Sequence, residues 1–135
     1  MLYMLDTNIC IYIIKRKPQA VYRRLCALSP NNICISSIVV SELFVGVEKS
    51  SKPNENRDAL WAFLSPFSVL DYGLAEAKIY GGVRAELERS GNIIGAYDMM
   101  IAAHAINLSA VLITNNIREF ERVRGLQIEN WAKDN

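Results

Sequence analysis

Two periods of apolar residues alternate along the chain. Short apolar-rich runs at residues 2–5, 33–35, 67–70, 111–113 and 126–128 read as strands, the first two as strands buried in a sheet. Between them, apolar residues recur at helical spacing over 9–14, 20–28, 38–49, 58–64, 74–89, 97–108 and 117–123, the pattern of helices that lay one face on a core. Strands alternating with helices predict an α/β fold, a three-layer α/β/α sandwich with a five-stranded, mainly parallel sheet and right-handed crossovers. The first strand closes on an acid, Asp6. In open parallel sheets ligands bind beyond the carboxyl ends of the strands, where strand order changes direction, so Asp6 stands where a site is expected.

Boundary signals agree with this division. Thr7 and Asn8 are capping types ahead of the first helix, and Ser36-Ser37 ahead of the third. Asn31-Asn32 reads as a turn and residues 52–56 as a polar loop. The fourth helix should bury Leu60, Trp61 and Leu64, and Gly91 should stop the fifth. The helix from Tyr97 is apolar almost all round, which places it centrally. Gly81-Gly82 reads as a point of close packing.

At 135 residues and 51% hydrophobic content, the chain has the size of one compact domain, residues 1–135. Its net charge of +1 makes it no general electrostatic magnet for nucleic acid, so any such argument rests on local clustering. Lys15, Arg16, Lys17, Arg23 and Arg24 form one basic cluster, which suits either a phosphate-facing patch or a solvated helix face. Cys10, Cys26 and Cys34, odd in number and set in apolar sequence, read as small buried hydrophobes of a reducing compartment. No leader pattern and no run of membrane-spanning length is visible, so a soluble, cytoplasmic protein is expected.

Four acids have neighbours unsuited to solvent. Asp6 ends a buried strand, and Glu42 is the single charge in the run from Ile38 to Gly46; a buried Glu paired with a base is the alternative there. Asp98 opens the most apolar helix, where an acid is ordinary in a first turn. It gains weight from Gly95, which would permit a close backbone approach. Glu119 follows the fourth strand, and Glu121 competes with it on spacing alone. Carboxylates converging on one edge raise one another's pKa unless a cation holds them, and oxygen ligands suit Mg²⁺ or Mn²⁺. The one histidine, His104, reads as a core or surface residue, which disfavours histidine acid–base chemistry.

Leu5-Asp6-Thr7-Asn8, Ser36-Ser37 with Glu42-Leu43 and Gly46, Asp98 with Ile101-Ala102-Ala103, and Thr114-Asn115-Asn116 with Arg118-Glu119-Phe120 together resemble the PIN-domain toxins of VapBC toxin–antitoxin modules. The resemblance runs from Met1 to Trp131. It implies a Mg²⁺-dependent endoribonuclease in which Asp6, Glu42 and Asp98 match the acidic metal-site positions and Glu119 the position filled by Asp or Glu. Thr7 and Thr114 match hydroxyl positions near the metal, with Asn8 and Asn116 as supporting residues. Asn116 stands where many members carry an acid, which shifts the fourth-carboxylate role toward Glu119. The sequence around Asn115, together with Gly125-Leu126 and Glu129-Asn130-Trp131, is similar to members that cut initiator tRNA in its anticodon stem-loop. Also implied are products with a 5′-phosphate and a 3′-hydroxyl, a homodimer, and a small VapB-type antitoxin through which the complex binds operator DNA.

A receiver-like signalling domain, with Asp71 as phospho-acceptor, is the rival from another class. It wants adjacent acids after strand one and a lysine directly after the last strand; only Asp6 follows the first, and Glu129, Asn130 and Trp131 follow the last. Asp71 reads instead as a helix N-cap. The full set of acids argues against a scaffold that binds RNA without cutting it.

Overall fold

A computed structural model describes residues 1–132 of the chain. The sheet consists of β1 (Tyr3–Leu5), β2 (Ile33–Ser36), β3 (Ser68–Leu70), β4 (Val111–Ile113) and β5 (Gln127–Glu129), in the order β3-β2-β1-β4-β5. Every neighbouring pair is parallel, with Met4 opposite Cys34 on one side and Leu112 on the other. The expected "mainly parallel" sheet is therefore wholly parallel. The three central strands are near-continuous apolar runs with both faces covered, as Met4, Leu5, Ile33, Ile35, Leu112 and Ile113 show by their complete burial, whereas the edge strands β3 and β5 are partly exposed.

The helices are α1 (Thr7–Lys15), α2 (Gln19–Cys26), α3 (Ser37–Lys49), α4 (Pro53–Leu64), α5 (Leu74–Ser90), α6 (Ala96–Asn107) and α7 (Ile117–Phe120). Strand order steps one way from β1 to β3 and the other way from β4 to β5, so right-handed crossovers lay α1 to α4 on one face and α5 to α7 on the other. Packing of α1 against α3 and α4, and of α5 against α6, accords with those layers. The direction of winding reverses between β1 and β4.

Several local expectations shift for identifiable reasons. Helix α1 is capped by Asp6 itself, whose Oδ1 accepts from the Ile9 N–H at 2.9 Å, so Thr7 and Asn8 lie inside the first turn. Pro53 opens α4, a position where its missing N–H costs nothing, and turns most of the expected polar loop into helix. The N-cap of α5 is Gly73 and not Asp71, because Glu76 reaches back to accept from the Gly73 N–H at 3.3 Å. Gly91, at φ 70°, ends α5 in the left-handed region as the sequence suggests. Helix α7 lasts only to Phe120, since Arg122 and Val123 donate to carbonyls three residues back and tighten the chain into turns.

Trp61 is 58% exposed, with its ring edge-on to Phe44 at 5.4 Å, and it does not join Leu60 and Leu64 in the core. Cys10 and Cys34 are buried as expected, whereas Cys26 is exposed. A side chain at Gly81 or Gly82 would meet nothing within 4 Å, so neither glycine marks close packing. Residues 133–135 of the polar tail lie outside the described residues. Among the described residues no helix is long and apolar enough to cross a membrane.

Candidate active site

The reversal between β1 and β4 opens a crevice at their carboxyl ends. Asp6 leaves β1 and donates its N–H to Ile113 O at 3.0 Å, which fixes the two strand ends side by side. Thr114 leaves β4 beside it. The Asp6 carboxyl is only 5% exposed, and burial pushes its pKa up to about 6. A hydrogen bond from the Thr114 side chain and the Ile9 N–H work the other way, while the charges of Asp98 and Glu42 add to the rise.

Asp98 lies in the first turn of α6. Its carboxyl is also held above the usual range, first by desolvation and then by Glu42 and Glu119. A Cβ at Gly95 would lie 3.5 Å from Asp98 Oδ2, an ordinary contact distance, so the glycine stands directly beside that carboxylate. Glu42 sits on α3, where its Oε1 accepts from the Thr7 hydroxyl at 2.7 Å. Glu119, on α7, is the acid whose charge reaches Asp98; Glu121 is the exposed residue that ends that helix. The choice that spacing left open thus falls to Glu119.

Asp6, Glu42, Asp98 and Glu119 are thereby linked electrostatically, each to at least one other. Among the described residues none of them forms an ion pair with a base. Nor do three acidic, histidine or cysteine side chains already stand as a ligating group among those residues. The arrangement is a set of mutually repelling oxygens, short of a closed cage, and such a set fits a hard cation that takes one or two carboxylates and keeps its own waters.

The supporting residues divide. Thr7 and Thr114 make the contacts just described, and the Thr114 Oγ1 also accepts from the Asn116 N–H at 2.9 Å, shaping the start of α7. Asn116 contributes that backbone group without capping α7 through its side chain. Asn8 is exposed and makes no side-chain hydrogen bond among the described residues.

The basic cluster divides as well. Lys15, Lys17 and Arg23 are exposed. Arg16 lies 5.0 Å from the centroid of the Tyr22 ring. Arg24 pairs with Glu129 and lies 5.7 Å over the buried Trp131 ring, tying α2 to the segment after β5. One residue went unnoticed in the sequence: Tyr12 of α1, whose hydroxyl meets at 2.7 Å the Nδ2 of Asn115, a residue the motif after β4 included without a role. Their separation of 103 positions leaves no local signal.

Residues 3–126 match the profile of the PIN domain. The chain belongs to the PIN-domain family. The resemblance seen in the sequence is borne out at full length. This PIN domain is 49% identical to a protein of Rickettsia felis named Ribonuclease VapC2, covering 98% of this chain and 100% of that protein. It is 48% identical to a Shigella flexneri protein named tRNA(fMet)-specific endonuclease VapC, over 96% and 98% of the two chains. Among solved structures, it superposes with a TM-score of 0.91 on a chain of the VapBC2 complex of Rickettsia felis bound to a DNA fragment from its promoter. Sequence identity there is 48%, with 97% of this chain and 99% of that one covered. The nuclease family and the five-stranded sheet expected from the sequence both stand.

Proposed function

We propose that this chain is the endoribonuclease toxin of a VapBC-type toxin–antitoxin module and that it hydrolyses a phosphodiester bond of tRNA with Mg²⁺ or Mn²⁺. One observation carries the reading: at the switch point of a PIN domain Asp6 feels the charges of Asp98 and Glu42, Asp98 feels those of Glu42 and Glu119, and none of the four forms an ion pair with a base among the described residues. Asp6 and Asp98 would hold the cation, with Glu42 and Glu119 completing the site through waters or directly. A divalent cation in that place supplies an acidified water and neutralises charge on the scissile phosphate.

The chain's own residues do the rest. Thr7 occupies one oxygen of Glu42 and leaves the other free to orient a water or take its proton. The Thr114 side chain counters the rise of the Asp6 pKa, and the Ile9 N–H fixes that carboxyl's rotamer. Lys15, which lines a groove together with Glu42, and the neighbouring Arg16, Lys17 and Arg23 would meet the RNA backbone. Similarity over 96% of this chain to a tRNA(fMet)-specific endonuclease favours initiator tRNA as substrate, and the family resemblance implies its anticodon stem-loop, with 5′-phosphate and 3′-hydroxyl products.

A free nuclease toxin has to be restrained, and an apolar groove of about 400 Å³ runs between α1, α3 and α4 beside the site. Ile11, Ile14, Leu43, Val47 and Leu60 line it, and Glu42 stands in its wall. A VapB-type antitoxin segment lying there would bring a basic side chain to the acids and compete with the cation. Through that antitoxin the complex would bind operator DNA, as the Rickettsia felis complex does its promoter. We place the toxin in the cytoplasm with its RNA, as a homodimer that covers exposed apolar residues such as Leu74.

The test is incubation of the purified protein with total cellular RNA, in Mg²⁺ or in EDTA, followed by mapping of new 5′-phosphate ends. The expected ends cluster in the anticodon stem-loop of initiator tRNA and vanish in EDTA. Cleavage indifferent to EDTA would contradict the cation, and ends scattered over unrelated RNAs would contradict the substrate.

A further inference from the structure

The loop after β4 is organised by a contact that the reading above leaves unused. Asn115 follows Thr114 and precedes Asn116, so it lies between the residue whose side chain lowers the Asp6 pKa and the backbone that opens α7 and carries Glu119. Its Nδ2 meets the Tyr12 hydroxyl at 2.7 Å, across 103 positions of chain. Its Oδ1 is shielded from solvent yet has no hydrogen-bond partner, the sole such side-chain atom among the described residues. A phenol hydroxyl both donates and accepts, so turning the amide over would merely leave the nitrogen unmet. Either way, one end of the Asn115 amide is kept from water without a protein partner. A free loop would swing it out, and Tyr12 is what the structure sets against that movement.

Tyr12 belongs to α1, the helix that begins with Thr7 and its bond to Glu42. The contact therefore closes a circuit around the acids. Thr7 fixes Glu42 from one end of α1, and Tyr12, further along it, fixes the loop that presents Thr114 to Asp6 and Glu119 to Asp98. We propose that Tyr12 is a positioning residue whose hydroxyl, through Asn115, sets the loop between β4 and α7 in the geometry that the cation and the scissile phosphate require. The proposal rests on the endoribonuclease reading for its kinetic consequence, and on the cation alone for its binding consequence. Groups that orient metal ligands typically cost about 10- to 100-fold in affinity or activity when removed.

The experiment compares wild type, Tyr12→Phe, Asn115→Ala and the double variant. Two readouts apply: the Mg²⁺ concentration at half-maximal thermal stabilisation, and kcat and KM on a stem-loop RNA at saturating Mg²⁺. Tyr12→Phe should raise the Mg²⁺ midpoint about 10-fold and lower kcat by a similar factor, with KM within about twofold. Because Tyr12 acts through Asn115, adding Tyr12→Phe to Asn115→Ala should change neither readout further. A lower melting temperature with both midpoint and kcat unchanged would mean that the bond only holds the fold, and would overturn the proposal. Additive losses in the double variant would overturn it too. A wild type that binds Mg²⁺ and leaves RNA intact would sink the endoribonuclease reading, while the midpoints would still decide for or against Tyr12.

Discussion

Two groups of acids are withdrawn from water in this protein, and they are treated in opposite ways. Glu76 of α5 is 7% exposed and fully partnered. Its Oε1 accepts from Gly73 and lies 3.6 Å from His104 Nε2, and its Oε2 accepts from Asn107 at 3.1 Å. The other ring nitrogen of His104 meets Ser36 Oγ at 2.8 Å, and that oxygen also accepts from the Ile38 N–H that starts α3. A serine, a histidine and a glutamate thus stand in a row, yet all three are buried and spend their hydrogen bonds on tying α3, α5 and α6 together. Asp6, by contrast, is buried with like charges for neighbours. The contrast separates structure from function: a satisfied polar network specifies the packing, whereas a set of acids left repelling one another is kept for a ligand.

Removing a charge from the second group should have the largest effect and leave the fold intact. Asp6→Asn or Asp98→Asn keeps the shape and removes charge that the cation needs, so RNA cleavage should fall by about a thousandfold or more, corresponding to roughly 4 kcal/mol of lost transition-state stabilisation. Circular dichroism should stay native. Near-wild-type cleavage by either variant would dissolve the distinction between the two groups.

The converse change is His104→Leu. It removes the hydrogen bond to Ser36 Oγ and the 3.6 Å contact with Glu76, while Ile38, Gly73 and Asn107 keep their bonds to those groups, so the loss should be about 1–3 kcal/mol. Denaturant melts should register that loss, with the cleavage rate per folded molecule close to wild type. Loss of cleavage in a protein that melts normally would instead give His104 a part in the reaction. The pH signs of the two groups also oppose. Burial holds the His104 pKa down against the pull of Glu76 and Asp71, so its neutral ring contributes stability that fades as pH falls below about 6.5.

Some of this was legible in the sequence because the signal is local. Asp6 at the end of an apolar strand, Glu42 alone in an apolar helix and Asp98 at the head of another are anomalies visible within ten residues. The sheet was legible for the same reason, since buried parallel strands must be apolar on both faces. Contacts between distant segments were not. Nothing near Glu119 and Glu121 distinguishes them until α7 is placed beside α6, and nothing in a basic cluster shows that Arg24 would fold onto Trp131. Trp61 was assigned to the core on its apolarity, but where α4 packs on α3 its ring lies edge-on to Phe44 and remains exposed. The Tyr12–Asn115 bond joins the first helix to the last third of the chain, beyond the reach of any periodicity.

The sharpest test of the claim that these acids share a cation is a set of thermal melts of wild type and Asp98→Asn, in EDTA and in Mg²⁺, from pH 4 to 8. A carboxyl raised in the folded state contributes stability that is full below its unfolded pKa and lost as pH climbs through the folded value. For Asp6, raised from 3.8 to about 6, that loss is roughly 3 kcal/mol across this window without metal. Asp98→Asn should lose less on the same climb and be the more stable protein at pH 7.5 in EDTA. Mg²⁺ at a hundred times its dissociation constant should restore about 2.7 kcal/mol to wild type and less to the variant. Equal responses to Mg²⁺, or a metal-free wild type more stable than Asp98→Asn at pH 7.5, would contradict it.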